Sequence, residues 1–161
     1  VKYLEPYGNS DKVLPLLKER GFKIVAITAF CGNPDDRIRN LSSHFDMRLF
    51  DDVYFTKDKE SVLTKYRRYK SQSIWVDDSY NYYSDGEKLG FKSFLFDCPT
   101  NEKFRDTANM ATSWDDILTF FSDESCQPAT IAKSKTSNRD LQFSYVLLLG
   151  LFVDSVFECS L

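Results

Sequence analysis

Apolar runs of strand length alternate with amphipathic stretches of helical length over most of this chain. Four strands are predicted at residues 24–28, 52–55, 73–76 and 92–96. Each run is nearly continuous in apolar residues, as expected for a strand that is covered on both faces. The alternation predicts βαβ units and therefore an α/β fold, a Rossmann-like parallel sheet flanked by helices.

Five helices are predicted from the amphipathic stretches between and after these strands, at residues 11–20, 34–45, 59–69, 80–89 and 114–121. Gly21 and Gly90 follow the first and fourth of them, where a left-handed residue commonly ends a helix. Pro15 lies inside the first stretch. We therefore expect that helix to begin near Leu14, with the proline in its first turn.

The character of the chain changes after Phe121. Residues 122–140 are rich in Ser, Thr, Lys and Asp without an apolar period, which predicts a linker or a disordered segment. Residues 141–157 form an apolar tail that Gln142 and Asp154 interrupt, and its unbroken part is too short to cross a bilayer. A docked helix or strand is favoured over a transmembrane helix, and a tail that is not native coding sequence is a third alternative. The predicted organisation is a core at 1–121, a linker at 122–140 and a tail at 141–161.

Composition and charge narrow the function classes. The chain of 161 residues is 42% hydrophobic and carries 21 Lys and Arg against 24 Asp and Glu, a net charge of -3. A chain of this composition can bury a core. It lacks the positive field that attracts nucleic-acid polymers or acidic membranes. A single histidine, His44, argues against multi-histidine metal sites and a Ser-His-Asp triad. The four cysteines form no CxxC pair and no signal peptide is apparent, so we expect reduced thiols in a cytoplasmic protein.

Polar residues follow three of the predicted segments at the point where ligands bind in parallel sheets. Thr28 ends the first strand, Asp77 and Asp78 follow the third, and Lys59 lies between them in the chain. Magnesium prefers oxygen ligands, and a phosphoryl group is held by lysine and hydroxyl donors. Taken singly, the acidic pair is explained by a helix N-cap, Thr28 by an ordinary strand end and Lys59 by a surface charge. Their combination and order favour a magnesium and phosphate site.

In this chain the threonine comes first, then the lysine and then the acidic pair. This order separates two folds with related chemistry, because receiver domains of response regulators place their acidic pair before the Thr and Lys. The segments IVAIT, FTKDK and WVDDS instead resemble the haloacid dehalogenase (HAD) superfamily of phosphohydrolases, within it the 5'(3')-deoxyribonucleotidase-like branch. The resemblance extends from about Tyr3 to Phe121. Supporting segments are RIRNLSSHF, LGFKSFLFDCPTN and SWDDIL.

The resemblance implies a role for each matching residue. Thr28 would orient the phosphate, Lys59 would neutralise its charge, and the acidic pair Asp77 and Asp78 would hold Mg²⁺. Apart from the resemblance, Ala29 in the loop after Thr28 and Arg37 in the following helix are the expected substrate contacts, with a solvated helix charge as the commoner explanation of Arg37. The implied activity is Mg²⁺-dependent hydrolysis of a small phosphomonoester, with (deoxy)nucleoside monophosphates as the substrate class of this branch.

One departure from the family is large. Its first motif, DxDx[TV] after a strand, supplies the aspartate nucleophile and general acid, and a helical cap follows; neither precedes IVAIT here. We therefore expect weak metal binding and negligible turnover from a fragment of a longer enzyme. The missing strand is central in the family, so its neighbours would be exposed and promote oligomerisation through the sheet edge, unless the tail fills the gap. A catalytically silent phosphate- or partner-binding domain and a truncated, non-functional gene product are the alternatives.

Overall fold

The computed structural model describes residues 6, 8–29, 32–122 and 145–150, and six parallel strands form one sheet. The strands are β1 (Phe22–Thr28), β2 (Asp52–Phe55), β3 (Ser73–Asp77), β4 (Lys92–Phe96), β5 (Met110–Ala111) and β6 (Tyr145–Gly150). Across the sheet they follow the order β2-β1-β6-β3-β4-β5. The predicted Rossmann-like α/β class is confirmed.

Helices cover both faces of this sheet. They are α1 (Ser10–Glu19), α2 (Pro34–His44), α3 (Lys59–Tyr66), α4 (Tyr80–Leu89) and α5 (Trp114–Ser122), with short 3-10 helices at Met47–Leu49, Arg67–Gln72 and Pro99–Phe104. Helices α1 and α5 contribute Leu14, Trp114 and Ile117 to the core on one face. Helices α3 and α4 contribute Leu63 and Leu89 to the core on the other face. Burial on both faces explains the nearly continuous apolar strands.

Helix α1 corrects one expectation. It begins at Ser10 and contains Pro15, rather than beginning near Leu14. Leu14 and Leu17 form part of a buried stripe, whereas Pro15 is exposed. The proline therefore frees only the carbonyl of Asp11, four residues earlier, on a side of the helix that water reaches. Burial of the apolar stripe outweighs that lost hydrogen bond.

The other boundaries follow the predictions within a few residues. Gly21 and Gly90 adopt φ angles of 88° and 85°, as expected at helix ends. The third helix is the exception, because its α-helical part ends at Tyr66 and the chain continues as the 3-10 helix Arg67–Gln72. Strand β5 has two residues, which is too short for an apolar run to reveal it.

The described part of the apolar tail is a central strand. Residues Tyr145–Gly150 form β6, which pairs in parallel with β1 on one side and β3 on the other. Residues 146–149 of this strand are at most 3% exposed. Of the alternatives for the tail, this segment is a strand, and it fills the central sheet position that was expected to be open unless the tail occupied it. Residues 123–144, which include most of the predicted linker, lie outside the described residues.

None of the helices in the described part of the chain has the length and apolar character of a bilayer-spanning segment.

Candidate functional site

Three adjacent strands end at one edge of the sheet and position the predicted site residues. Ile27 of β1 pairs with Gly150 of β6, and Val76 of β3 pairs with Leu149. Thr28 and Asp77 each follow one of these paired positions at their strand's carboxyl end. Neighbouring strands lie about 4.8 Å apart, so these two residues are separated by roughly 10 Å, with β6 between them.

Lys59 and Asp77 form a buried ion pair. The Lys59 Nζ donates to Asp77 Oδ2 at 2.6 Å, and the two side chains are 3% and 0% exposed. Asp77 Oδ1 accepts the backbone N–H of Ser79 at 2.8 Å. The Lys59 ammonium also lies 4.2 Å from the centroid of the Tyr82 ring. Both charges are thus satisfied in a fixed arrangement, which is the condition for burying an ion pair.

Local capping places Lys59 at this edge. Asp58 is the N-cap of α3 and accepts hydrogen bonds from the Ser61 N–H and hydroxyl at 3.0 and 2.6 Å. The hydroxyl bond and then the backbone bond lower the pKa of Asp58. Lys59 is therefore the first helical residue. The helix-cap explanation does not apply to the acidic pair, because Ser79 is the N-cap of α4.

Asp78 lies beside this ion pair in a partly buried position. Burial, followed by the negative charge of Asp77, raises the pKa of Asp78 to about 7, while Lys59 acts in the opposite direction. Arg37 is 3% exposed and its Nη1 donates to Asn40 Oδ1 at 2.7 Å. Burial lowers the pKa of Arg37, and the charge of Asp78 raises it in part. Two carboxyl groups and two cationic side chains therefore interact at this edge.

Thr28 is completely buried, and its Oγ1 has no hydrogen-bond partner among the described residues. An unsatisfied buried hydroxyl costs about 1–3 kcal/mol, and a phosphate oxygen would remove that cost. Alternation along β1 places Thr28 with Ala26 on the α1 and α5 face, whereas Asp77 is on the α3 and α4 face. Thr28 therefore lies at the same edge of the sheet as Lys59 and Asp77, but on the opposite face. The half-buried Ala29 follows Thr28 at this edge.

Gly150 is a site residue that the sequence interpretation missed. A Cβ atom at Gly150 would overlap the Asp77 carboxylate and lie 3.1 Å from Asp77 Cβ. Because Asp77 is anchored to Lys59 and Ser79, the carboxylate could not move aside without losing those bonds. A glycine within an apolar strand pattern signals a close approach of this kind, and the run YVLLLG contains that signal.

Asn101 is a second residue that was not predicted. Its side chain is 3% exposed, and Nδ2 donates to the carbonyl oxygens of Asp78 at 2.6 Å and Phe96 at 2.9 Å. These bonds tie the loop that carries Asp78 to the end of β4. A long-range bond from a side chain to the backbone leaves no periodic pattern in the sequence, which is why Asn101 could not be identified there.

The donor set is compatible with Mg²⁺ in one respect. Mg²⁺ is typically bound through one or two carboxylates together with phosphate oxygens and water, and Asp77 and Asp78 supply two adjacent carboxyl groups. A cation would replace the proton that the raised pKa of Asp78 retains near neutrality. Within the described ranges, no three His, Cys, Asp or Glu side chains converge on one point. Among the described residues, Asp77 and Asp78 are therefore the two carboxyl groups that could hold such an ion.

No family model matches this chain, and a search of curated proteins also finds no match. The fold and the residues at the carboxyl edge of the sheet are thus the observations from which a function is inferred.

Proposed function

We propose that this chain is a HAD-type phosphomonoester hydrolase domain that binds Mg²⁺ and a phosphate monoester where β1 and β3 end. The observation that carries the proposal is the buried Lys59–Asp77 pair beside Asp78, whose pKa is raised to about 7. Burying several charges at the carboxyl end of a parallel sheet is costly for folding. Such perturbed groups cluster at functional sites.

Each group has a chemical role in this proposal. Asp77 and Asp78 would hold Mg²⁺, which supplies positive charge to the phosphoryl oxygens when it is bound. The Thr28 hydroxyl donates to a phosphoryl oxygen, and Lys59 contributes a fixed positive charge. Arg37 adds a second cation near Asp78. Hydrolysis breaks the ester P–O bond, the leaving oxygen takes a proton, and water supplies the new oxygen on phosphorus.

The substrate class follows from the resemblance in sequence. Segments IVAIT, FTKDK and WVDDS resemble the deoxyribonucleotidase-like branch, so (deoxy)nucleoside monophosphates are the first substrates to test. In this proposal, the residues at the carboxyl edge of the sheet recognise the phosphate and the metal. They include no feature that identifies a particular base or sugar.

A catalytically silent phosphate-binding domain is the second candidate, and Gly150 favours it. Between the ends of β1 and β3, the described part of β6 places a glycine rather than a carboxylate. The carboxylate nucleophile of the HAD reaction is therefore not assigned among the described residues, and Asp77 is held by Lys59. This candidate predicts binding of phosphate monoesters without turnover.

Hydrolysis assays on the full chain separate the two candidates. Nucleoside monophosphates, deoxynucleoside monophosphates and p-nitrophenyl phosphate are assayed with and without Mg²⁺, and binding of the same compounds is measured by calorimetry. Asp78→Asn is the test variant. Asp85→Asn, which changes a carboxylate paired with Lys88 on α4, is the matched control.

Turnover that requires Mg²⁺ and is lost only in Asp78→Asn would support the hydrolase, and it would overturn the expectation of negligible turnover that rests on the missing first motif. Mg²⁺-dependent binding without turnover would support the silent domain. Absence of both binding and turnover would contradict both candidates.

A further inference from the structure

The peptide between Asp78 and Ser79 is held at both ends. Its N–H donates to Asp77 Oδ1 at 2.8 Å, and its carbonyl oxygen accepts a hydrogen bond from Asn101 Nδ2 at 2.6 Å. The carbonyl oxygen of Ser79 in turn accepts the N–H of Tyr83 in α4 at 2.9 Å. The orientation of this one peptide is therefore fixed between the acidic pair and α4.

Asn101 connects this peptide to the sheet. The same Nδ2 atom donates to the carbonyl oxygen of Phe96 at 2.9 Å. Phe96 is the last residue of β4, is completely buried and pairs with Ala111 of β5. The Asn101 side chain, itself 3% exposed, thus forms a bridge between a packed strand and the loop that follows β3.

An asparagine suits this bridge for a chemical reason. Its amide nitrogen carries two hydrogens, which serve two carbonyl acceptors, whereas a hydroxyl carries one hydrogen and a carboxylate carries none. Both hydrogens of Asn101 are used by backbone carbonyl groups. The side chain therefore acts on the loop that carries Asp78 and has no amide hydrogen left to donate to a ligand.

The bridge controls the geometry of both carboxyl groups. If the peptide between Asp78 and Ser79 turned over, its carbonyl oxygen rather than its N–H would face Asp77 Oδ1, and the two oxygen atoms would repel each other. Asn101 opposes that rotation because it holds the carbonyl oxygen on the other side of the peptide. The Asp78 side chain leaves the backbone at the carbon next to this peptide. Loss of the bridge would therefore disturb both members of the acidic pair.

We propose that Asn101 is a positioning residue for the acidic pair, which sets the spacing and direction of the Asp77 and Asp78 carboxyl groups for a cation. This role rests on the proposed function, because the cation is the Mg²⁺ of that site. Partners that orient the ligands of a metal are commonly worth about 10- to 100-fold in metal affinity. A loss of that size is expected when the side-chain amide of Asn101 is removed.

Asn109 provides the matched control. Its Nδ2 donates to the carbonyl oxygen of Ser93 at 2.9 Å, so it also joins a loop to β4. Ser93 lies three residues before Phe96, about 10 Å along the strand and away from the acidic pair. Asn101→Ala and Asn109→Ala are made in the full chain. Asn101→Ser, which keeps a small hydroxyl, replaces Asn101→Ala if that variant does not fold.

Hydrogen exchange measured by NMR tests the bridge without any ligand. The exchange rate of the Ser79 amide is divided by that of Val76, inside β3 of the same chain, which corrects for changes in global stability. We expect this ratio to rise about 10- to 100-fold in Asn101→Ala, the value of one or two hydrogen bonds, and to stay unchanged in Asn109→Ala. Equal ratios in the original chain and in Asn101→Ala would overturn the proposal.

Calorimetric titration with Mg²⁺ in the presence of inorganic phosphate tests the consequence for the site. We expect Mg²⁺ binding to weaken about 10- to 100-fold in Asn101→Ala and to be retained in Asn109→Ala. Faster exchange at Ser79 with unchanged Mg²⁺ binding would overturn the positioning role. Absence of Mg²⁺ binding in the original chain would instead contradict the proposed function, and exchange at Ser79 would still decide whether Asn101 holds the loop.

Discussion

At the residue scale, the site depends on charges that are buried together. Lys59, Asp77 and Asp78 were predicted because they follow strands in an order that suits phosphate chemistry, and the structure brings Lys59 and Asp77 to 2.6 Å. Asn101 was not predicted because its hydrogen bonds leave no pattern in the sequence. Gly150 carries a signal of close approach in its apolar run, but the residue that it approaches, Asp77, is distant in sequence. The chemistry of a site is thus visible in residue types, whereas the residues that position it depend on the packed structure.

The buried ion pair should be costly to break from one side. Lys59→Met leaves the Asp77 carboxylate buried without its cation, and we expect a loss of about 3–5 kcal/mol in the free energy of unfolding, measured by urea denaturation. Lys88→Met removes an exposed lysine that pairs with Asp85, and should cost less than about 1 kcal/mol. Equal losses in the two variants would show that the Lys59–Asp77 pair is not a buried interaction.

Asp78 should make the stability of the ligand-free chain depend on pH. Its folded pKa of about 7 lies above the ordinary carboxyl value of 3.8. Between these values the folded state retains a proton that the unfolded state has lost, so this group's stabilising contribution is lost as the pH rises from near 4 to about 7. The slope is at most about 1.4 kcal/mol per pH unit.

Other carboxyl groups with lowered pKa values, such as Asp58 and Asp116, contribute with the opposite sign. The measurement is therefore the difference in unfolding free energy between the original chain and Asp78→Asn across this range. We expect that difference to change by several tenths to a few kcal/mol. A difference that is constant with pH would contradict the raised pKa of Asp78.

Gly150 should be coupled energetically to Asp77. Gly150→Ala forces the Asp77 carboxylate away from Lys59, and we expect a loss of roughly 1–3 kcal/mol, the usual cost of overpacking. In an Asp77→Ala background the added methyl group has space, so the penalty of Gly150→Ala should shrink. A double-mutant cycle from urea denaturation measures this coupling. Additive losses would mean that the two residues do not contact each other.

At the scale of elements, periodicity predicts the helices and most strands because their burial follows local sequence. Strands β2 and β4 and helix α4 have the predicted bounds, while α1 begins four residues before Leu14. The predicted start of α1 was wrong because proline disfavours a helix interior locally, whereas burial of the apolar stripe around Pro15 favours the longer helix. Strand β5 was missed because its two residues are held by pairing with β4 rather than by their own pattern.

Replacing Pro15 tests that explanation of α1. In Pro15→Ala the new N–H can donate to the carbonyl of Asp11, and the helix interior loses its poorest helix former. We expect the free energy of unfolding to rise by about 1–2 kcal/mol, because the greater freedom of alanine in the unfolded chain offsets part of the gain. A lower midpoint of urea denaturation would show that the proline is required in α1.

At the scale of the whole molecule, the strand order could not be predicted from local patterns. Strand β6 is the last of the described strands along the sequence but lies between β1 and β3, and residues 122–140 before it have no apolar period. The sequence resemblance only indicated that a central position needed a strand. Because β6 separates Thr28 from Asp77, the two sides of the proposed phosphate site are held at their spacing by a strand from a distant part of the sequence.

The central claim, a phosphate and Mg²⁺ site at this edge, is tested most directly by calorimetric titration of the full chain with inorganic phosphate at pH 8, with and without Mg²⁺. We predict binding that tightens with Mg²⁺ and weakens about 10- to 100-fold in Thr28→Val, the value of one hydrogen bond to a charged ligand. Thr64→Val, an exposed position on α3, should bind like the original chain. Absence of phosphate binding, or equal binding by the two variants, would contradict the site.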